Sequence, residues 1–595
     1  MKRLVLGALT IGLVTASCTG HSGTGIVPST GMSTQSSATG SGTGSTRRAA
    51  TTMAAAPSGW STTNTQALSL SGASDLGALS ASQPITVRVG LQLRNVSQLQ
   101  AALQSHQAMS RAAIASNFDP TSAQAQQVVA YLQGVGLSNV SVTPDNLIVS
   151  ATGNAAQVAK AFNTTLHSFS WNGKTVFGNV SPAYVPTALG GIVVAVLGLN
   201  DVSAFNDKPK MATTQATPCE QGVTVPCVRF YDPATFQSAY DVGSLPPATN
   251  TSLAIMAEGN VSQAIADFRT NEQQFNQPQV PLTVKPVGLA STDTSGDTEW
   301  TLDMTYSTAM AGNLQMLYVY DATSLTDSDI ALMFDKWMTD DLAQVGNASF
   351  GECEVFPYVD GSMVLMDEVL VQAAAQGQTL FASSGDWGGY CNVEGDTNGV
   401  PGGAPMVAYP SASPYVNSVG GTDLLTNADG SYQGETAWEA GGGGLSQFEY
   451  APYWEAYAQP VAQQGESFRG LPDVAMDAAL ETGAELYTSG SAVNGSCTPC
   501  TTGGTSLASP LAAGSYARMQ SAHGNSLGFG PIQFYTIYQN NPNASEDSTG
   551  LGAWELIGGF HDILTGTNGL YTSLPRYDYT TGLGSFDVSK TSGII

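Results

Sequence analysis

Gly503-Gly504-Thr505-Ser506-Leu507-Ala508-Ser509-Pro510 joins a glycine loop to an apolar segment with helical composition. Glycine lets a backbone turn tightly, and the first turn of a helix presents unbonded N–H groups. Ser506 therefore has the surroundings of an acyl-transfer nucleophile, with nearby donors for an oxyanion. The alternative is a loop in which Thr505 or Ser506 caps a buried helix, and both interpretations stay open here. Pro510 lies in the first turns of that helix, where it would remove a hydrogen bond to the carbonyl of Ser506.

Strands and helices alternate from residue 228 to the end of the chain. The predicted strands are 253–256, 314–320 and 379–382, and the predicted helices are 329–338 and 362–375. This alternation is typical of an α/β fold with a mostly parallel sheet flanked by helices. Sites form at the carboxyl ends of such strands, so Ser383-Ser384-Gly385-Asp386, which follows a strand, is a second candidate.

The rest of the chain divides into a second compact unit and two linkers. Residues 84–206 follow the order β-α-α-β-β-α-β-β, which predicts a smaller α+β module. Residues 19–83 are rich in Ser, Thr and Gly, and residues 207–227 shift to Lys, Pro, Thr and Gln, so both are predicted linkers. An exposed linker at 207–227 would be cut easily by a protease.

Residues 1–18 have the pattern of an export signal. Two basic residues precede the apolar run 4–14, which is too short to span a membrane, and small residues lie before Cys18. These small residues resemble a bacterial lipobox, which predicts lipidation at Cys18 and a cell-surface lipoprotein. Ordinary signal cleavage instead predicts free secretion. A membrane contact is expected only through the anchor at Cys18.

The seven cysteines agree with export. Without Cys18, six remain, which fits three disulfides in an oxidising compartment. Local pairing would join Cys219 to Cys227, Cys353 to Cys391, and Cys497 to Cys500. The last pair could instead be redox-active or half of a zinc site, but no second paired-cysteine or histidine cluster accompanies it in the sequence.

Composition limits the classes of function. The chain has 595 residues, of which only 11% are charged, and its formal net charge is -27. This length allows several domains and a large core. The acidic balance argues against nucleic-acid binding. It fits extracellular or acidic surroundings, because carboxylates protonate there and self-repulsion falls.

A serine nucleophile needs a general base, most often histidine. No histidine lies between His167 and His523, which excludes an Asp…His…Ser order in this domain. Glu299 and Asp303 are the alternative, because residues four apart share one face of a helix. Two close carboxyls can share a proton, which would make Glu299 a base or acid at low pH, oriented by Asp303. A solvated pair on an exposed helix is the competing interpretation.

Three motifs occur in order: Glu299-xxx-Asp303, Ser384-Gly385-Asp386 and Gly504-Thr505-Ser506-xx-Ser509-Pro510. Together they resemble the sedolisins, also called serine-carboxyl peptidases. Further matches are Tyr409–Val416 leading to Val419–Thr422, the glycine run 441–444, and Arg469–Asp473. The first domain resembles the pro-kumamolisin type of activation domain through residues 132–136 and 151–155. The resemblance covers about residues 84–590.

The resemblance implies a subtilisin-like catalytic domain at 228–595, preceded by an activation prodomain. It implies that Ser506 is the nucleophile, Glu299 the general base and acid, and Asp303 its partner. Asp386 would stabilise the oxyanion with the N–H of Ser506. Asp386 can donate a hydrogen bond only when protonated, which suits an acidic working pH. The glycine run 441–444 could let an extended substrate pair with the backbone.

The implied function is an acid-acting serine endopeptidase made as a self-processing proenzyme, cut within about 204–227. Its partners would be protein or peptide substrates and its own prodomain as an intramolecular inhibitor. One alternative is a non-catalytic cell-surface binding protein on the same scaffold. Another is a glycosidase using Glu299 and Asp303, but glycosidase carboxyls flank the scissile bond roughly 5 Å or more apart. A pair on one helix face fits that geometry poorly.

Sedolisins also carry one calcium ion near the C-terminus, and the resemblance extends to Asp562, Ile563 and Asp578. The two aspartates would supply carboxylates and Ile563 a carbonyl, and such oxygen ligands suit Ca²⁺. The chain departs from the family at 574–576, where Leu, Pro and Arg replace glycines. An Arg576 side chain facing the site would oppose the cation.

Overall fold

The computed structural model describes residues 56–70, 72–106, 108–202, 210–212, 230–391, 404–455, 468–489, 497–550 and 552–595. For residues 210–212, 404 and 497–500 it describes the backbone alone. Within these ranges, no helix is both long and apolar enough to cross a membrane.

The N-terminal unit is an α+β module with its own apolar core. Its elements are β1 (Trp60–Thr62), β2 (Ser74–Ala78), β3 (Pro84–Leu91), α1 (Val96–Gln104), α2 (Arg111–Asn117), α3 (Ser122–Gly134), β4 (Ser138–Val142), β5 (Ile148–Asn154), α4 (Ala155–Ala161), β6 (Leu166–Trp171), β7 (Lys174–Asn179), β8 (Tyr184–Pro186) and β9 (Val193–Leu197). Four strands form an antiparallel sheet in the order β4-β5-β3-β9. Val87 and Val89 of β3 share one core with Leu132 of α3 and Val158 of α4.

The prediction that residues 19–83 form a linker is wrong for the end of this segment, because β1 and β2 belong to the N-terminal unit. Thr63 and Thr65 are buried there, and their hydroxyls donate to the carbonyls of Ala183 and Val196. Polar hydrogen bonds hold this segment, rather than the apolar periodicity by which a strand is detected in sequence.

The larger unit follows residue 209. Its elements are β10 (Lys210–Ala212), α5 (Pro233–Ala239), β11 (Ala248–Glu258), α6 (Ser262–Gln274), β12 (Leu282–Val287), α7 (Asp297–Ala311), β13 (Leu314–Ala322), α8 (Asp327–Asp340), β14 (Val345–Ala348), β15 (Glu352–Cys353), α9 (Val355–Asp360), α10 (Ser362–Gln376), β16 (Thr379–Ser383), β17 (Tyr390–Cys391), β18 (Ala404–Pro405), β19 (Ala408–Tyr409), β20 (Asn417–Thr426), β21 (Tyr432–Ala437), β22 (Gly444–Tyr450), β23 (Phe468–Leu471), β24 (Val474–Asp477), β25 (Ala484–Thr488), β26 (Cys497–Gly503), α11 (Thr505–Ala522), α12 (Gly530–Asn540), β27 (Trp554–Ile557), β28 (Phe560–Ile563), β29 (Ser585–Phe586) and α13 (Val588–Ile594).

The central sheet has eight strands in the order β12-β13-β11-β14-β16-β20-β21, with β24 also paired to β20. All of its pairs are parallel except β20 with β21. The middle strands β14 and β16 are buried along their whole length, as expected where helices cover both faces. The predicted α/β class with a mostly parallel, helix-flanked sheet is confirmed.

The predicted linker 207–227 contains a strand. β10 pairs antiparallel with β26, with Lys210 opposite Gly503 and Ala212 opposite Thr501. β25 occupies the other edge of β26. The rest of the segment lies outside the described residues.

Helices α7 and α11 run side by side at very short range. A Cβ on Gly514 of α11 would lie 2.1 Å from the carbonyl oxygen of Ser307 on α7, so only glycine allows this approach. About one turn further, Nη1 of Arg518 donates to the carbonyl of Met310 at 3.4 Å. The two contacts have nearly the same sequence offset, 207 and 208 residues, so the helices are parallel and in register.

We predict that Gly514→Ala lowers the free energy of unfolding by about 1–3 kcal/mol, because the added methyl must force α7 and α11 apart. Gly593→Ala in α13 is the matched control, since a Cβ there would meet nothing within 4 Å. The control should be unchanged or stabilised by up to about 1 kcal/mol, because Ala is the better helix former. Urea unfolding followed by tryptophan fluorescence measures both, and equal stabilities would contradict the close packing.

Candidate active site

Ser506 is the second residue of α11, directly after the turn that follows β26. Gly504 has φ 99°, a left-handed conformation that favours glycine. A Cβ on Gly503 would lie 2.5 Å from the carbonyl oxygen of Ala478, so neighbouring backbone also requires this glycine. The side chain of Ser506 therefore sits at a helix start, where backbone N–H groups lack helical partners.

Glu299 and Asp303 lie one turn apart on α7, with exposures of 1% and 0%. Burial excludes the solvated-pair interpretation. If the register of α7 against α11 continues for about two more turns, it would bring Glu299 toward Ser506, because these positions have the same offset of 207 as Ser307 and Gly514. The acidic pair and the serine thus lie on two closely packed helices, although they are some two hundred residues apart in the sequence.

The carboxyl of Asp303 is held from the end of β14. Oγ of Ser349 donates to Asp303 Oδ1 at 2.6 Å. Burial raises the pKa of Asp303 well above its usual range, against the hydrogen bonds from Ser349 and Asn347, which lower it. Asp303 therefore holds a proton far more readily than an exposed aspartate does.

Asp386 follows β16 and is bound to the residue that precedes Ser506. Its Oδ1 accepts hydrogen bonds from the backbone N–H and from Oγ1 of Thr505, each at 2.8 Å. The N–H of Gly385 in turn donates to Oγ1 of Thr505 at 3.1 Å. Three bonds thus fix the Asp386 loop against the first residue of α11, on the side where Ser506 begins the helix.

Neither histidine of the larger unit is placed to serve Ser506. His523 caps the far end of α11, about 25 Å away at the rise of an α-helix, and its Nε2 contacts the carbonyl of Ser592. His561 is buried on β28 and stacks on Tyr432. Burial lowers the pKa of His561 to about 3, so it stays neutral over most of the acid range.

The predicted disulfide Cys353–Cys391 is confirmed. It joins β15, a few residues after Ser349, to β17, a few residues after Asp386. The segments that hold Asp303 and Asp386 are therefore covalently linked. Cys219 and Cys227, and the side chains of Cys497 and Cys500, lie outside the described residues.

Within the glycine run 441–444, Gly442 cannot pair with a substrate strand as predicted, because both of its backbone groups are bonded within the protein. The N–H of Gly442 donates to the carbonyl of Gly385, and the carbonyl of Gly442 accepts from Oγ of Ser384. A Cβ on Gly442 would lie 2.0 Å from the carbonyl oxygen of Ser384. Gly442 is needed because it packs against the Asp386 segment, and this packing uses both of its backbone groups.

Ser349, which bonds Asp303, and the role of Thr505 in holding Asp386 were not predicted from the sequence. Both could have been found from position: Ser349 follows the carboxyl end of β14, where sites form in parallel sheets, and Thr505 adjoins Ser506. A cluster of buried carboxyls formed by Asp327, Glu352 and Asp360 was not predicted either. Burial raises the pKa of Glu352 to about 8, and the charge of Asp360 adds to the shift.

The residues predicted to bind calcium meet at β28 and the loop ending at Asp578. Asp562 Oδ2 accepts from the N–H of Arg576 at 2.6 Å, whereas Oδ1 is buried and accepts no hydrogen bond from the described residues. Burial raises the pKa of Asp562 to about 7, with a further contribution from the charge of Asp578. The guanidinium of Arg576 donates to the carbonyl of Pro542 at 2.5 Å.

Two families match the chain. The pro-kumamolisin activation domain matches residues 71–202, and the subtilase family matches residues 288–541. Sedolisin of Pseudomonas sp. (strain 101) is 35% identical over 577 residues, covering 90% of this chain and 92% of that protein. Xanthomonalisin of Xanthomonas sp. (strain T-22) is 32% identical over 576 residues, covering 86% of this chain and 66% of that protein.

A solved structure of Pseudomonas sedolisin, a serine-carboxyl proteinase complexed with two molecules of pseudo-iodotyrostatin, is also similar. It has a TM-score of 0.54 and 34% sequence identity, and the match covers 62% of this chain and 98% of that one. The predicted subtilisin-like fold of the larger unit is thereby confirmed.

We predict that the free energy of unfolding of the protein falls as the pH rises from about 4 to 8. The raised pKa of Glu352 means that the folded chain holds a proton which the unfolded chain has released. This stabilisation is complete below about pH 4 and is lost as the pH rises through about 8. The thermal midpoint should therefore fall over this interval, and Glu352→Gln, which keeps a neutral group, should make the fall smaller.

The exposed Glu481→Gln is the matched control and should follow the parent curve. All samples carry Ser506→Ala so that the chain has one length at every pH. A parent midpoint that rises toward pH 8 would contradict the proposed cost of ionising these buried carboxyls.

Proposed function

The chain belongs to the sedolisin family of serine-carboxyl peptidases, and on that premise we propose that it is an exported, acid-acting endopeptidase made as a self-processing proenzyme. Ser506 is the proposed nucleophile, Glu299 its base and Asp303 the partner of that base. One observation carries this assignment: the close parallel packing of α7 on α11, which supports a partnership between a buried carboxyl of one helix and the serine of the other.

The chemistry follows from the proposed roles. Ser506 attacks the carbonyl carbon of the peptide bond while its proton passes to Glu299. The oxyanion that forms is held by the N–H of Ser506 and by a protonated Asp386. Glu299 then gives the proton to the leaving amine, and water releases the acyl group by the same route.

An acidic working pH is supported by the electrostatics of the site. Asp386 must be protonated to donate to an oxyanion, and the Glu299–Asp303 pair must hold one proton rather than none. Burial already raises the pKa of Asp303, and the surrounding fold contains further carboxyls with raised pKa values, including Glu354 at about 7.

The N-terminal unit would act as an inhibitory prodomain. A Cβ on Gly90 of β3 would lie 2.7 Å from the side chain of Leu365 on α10, so the two units are closely packed. Arg88 forms an ion pair with Asp329, and the N–H of Leu93 donates to Glu368 at 2.9 Å.

The pairing of β10 supports self-processing. β26 runs toward Ser506, so the antiparallel β10 runs away from it. Of the described linker residues 210–212, Lys210 is therefore the nearest to the nucleophile along β26, and it lies within the proposed region 204–227. The peptide that follows the cut would remain paired to β26 as a product strand.

Export is proposed from the sequence at 1–18, with either a lipid anchor at Cys18 or free secretion into the surroundings of a bacterial cell. The Cys353–Cys391 disulfide supports an oxidising compartment. Protein and peptide substrates are the proposed partners. The competing function, a non-catalytic binding protein on this scaffold, has no specific observation in its favour.

We predict that Ser506→Ala and Glu299→Gln abolish self-processing and lower peptide hydrolysis at acidic pH by at least about 10³-fold. Wild type should release a fragment whose new N-terminus lies within 204–227, at or before Lys210. Ser515→Ala is the control, because among the described residues this buried serine on α11 bonds only its own helix, at Leu511. Electrophoresis and N-terminal sequencing follow the processing.

Two outcomes would overturn the assignment. Processing by Ser506→Ala at the wild-type rate would exclude Ser506 as the nucleophile. Wild type without peptidase activity between about pH 2 and 7, a range that spans the carboxyl pKa values, would favour the binding-protein alternative.

We also propose that one Ca²⁺ binds between Asp562, the carbonyl of Ile563 and Asp578. The residues fit a hard cation, because Asp562 Oδ1 is a buried oxygen without a donor and the Arg576 guanidinium points to Pro542. No group of three or more His, Cys, Asp or Glu that could hold a metal exists in the described part of the chain, so backbone carbonyls must complete the set. The ion would supply positive charge that stabilises this carboxylate pair.

Calcium should raise the thermal midpoint of the Ser506→Ala protein relative to the same protein in EDTA. At a concentration of one hundred times Kd, the expected stabilisation is about 3 kcal/mol. Asp578→Asn should remove most of this difference, whereas Asp429→Asn, in an exposed turn, should keep it. An equal calcium effect in the two variants would exclude Asp578 as a ligand.

A further inference from the structure

We propose that Ser349 is a positioning residue that fixes the proton of Asp303 on Oδ2, the oxygen left for Glu299, and that Asn347 and Ser509 hold Ser349 in this role. The inference rests on the proposed function of Glu299 and Asp303. It adds three residues that act through Asp303 and do not touch a substrate.

The hydrogen bonds of these side chains all run in one direction, from Ser509 through Asn347 and Ser349 to Asp303. Oγ of Ser509 donates to Asn347 Oδ1 at 2.6 Å, and Asn347 Nδ2 donates to Oγ of Ser349 at 3.1 Å. Since Ser349 already accepts from Asn347, its single proton is directed to Asp303 Oδ1 at 2.6 Å. All three side chains are buried, with exposures of 1% or less, so water does not compete for these bonds.

This direction decides where Asp303 can carry a proton. Oδ1 accepts from Ser349 and therefore cannot be the oxygen that donates along the same line. Oδ2 is buried and accepts no hydrogen bond from the described residues. The proton of a neutral Asp303 is thus placed on Oδ2, and Glu299 lies one turn away on the same helix face. A hydrogen bond donated by the Oδ2–H group, with the proton kept on Asp303, favours the ionised form of Glu299, which a general base requires.

Pro510 connects this chain to the nucleophile. It lies within α11 and has no N–H to donate to the carbonyl of Ser506. That carbonyl instead lies 3.4 Å from Oγ of Ser349. Ser349 therefore contacts both the acid on α7 and the backbone of the serine on α11, while Ser509 anchors the outer end of the chain one turn after Ser506.

Few charged groups on neighbouring elements could shift the pKa of Asp303 in place of the hydrogen bond from Ser349. Those on the elements packed against α7 are Glu258 of β11, Asp267, Arg269 and Glu272 of α6, Glu485 of β25, and Arg518 of α11. The charge of Asp267 raises the pKa of Asp297 at the start of α7. The guanidinium of Arg518 donates to the carbonyl of Met310 near the end of the same helix. The hydrogen bonds from Ser349 and Asn347 are what oppose the effect of burial on Asp303 itself.

The test compares Ser349→Ala, Ser349→Thr and Ser509→Ala, with Ser515→Ala as a buried-serine control. Steady-state hydrolysis of a chromogenic peptide is measured from about pH 2 to 7 on processed enzyme. Ser349→Ala should lower kcat by about 10–100-fold with little change in KM, because binding is not affected. Its pH profile should move up by about one unit, because loss of a hydrogen bond to a charged group raises the pKa of the pair.

Ser349→Thr keeps the hydroxyl and should restore most of kcat and the wild-type profile. Ser509→Ala removes only the outer bond and should give a smaller shift in the same direction, which also tests the proposal if Ser349→Ala does not fold. A wild-type profile in Ser349→Ala, beside an inactive Glu299→Gln, overturns this inference alone. Full activity in Glu299→Gln overturns the proposed function and this inference with it.

Discussion

The close approach of Gly514 to the carbonyl of Ser307 is the contact on which the site depends. The serine and its carboxyl pair come from helices that are distant in sequence, and no strand or loop joins them directly. A glycine within a helix costs about 1 kcal/mol relative to alanine, so its place here must be offset by packing. The gain is a fixed register between α7 and α11, and the proposed partnership of Glu299 with Ser506 depends on that register.

Desolvation of carboxyl groups links the stability of this fold to its chemistry. Asp303 on α7, Glu352 on β15 and Glu354 beside it are all buried, and burial raises the pKa of each. A neutral carboxyl can donate one hydrogen bond and accept another, whereas a carboxylate can only accept. Burial therefore keeps these acids neutral inside the fold and also keeps a proton available for transfer at the site. A rise in pH opposes the stability of the fold and the supply of that proton.

Local patterns predicted the sheet, the long helices and the acidic pair, because those features repeat over a few residues. β16, α10 and the Glu299-xxx-Asp303 spacing are of this kind. The segment around Thr63 and Thr65 could not be predicted, since it is held by hydrogen bonds to residues far along the chain. The glycine run 441–444 was misinterpreted because composition does not reveal whether the space beside a glycine receives a substrate or the protein's own backbone. Ser349 carries no motif, and its importance comes only from its contacts with two side chains, those of Asp303 and Asn347, and with the carbonyl of Ser506.

The pairing of β10 with β26 uses main-chain groups on the one edge that β25 leaves open. Backbone hydrogen bonds of this kind depend little on which side chains the strand carries. The sequence of the linker can therefore drift during evolution while its attachment beside the nucleophile persists. Over the same history, a mutation of that segment to proline would be selected against, because proline lacks the N–H on which the attachment relies.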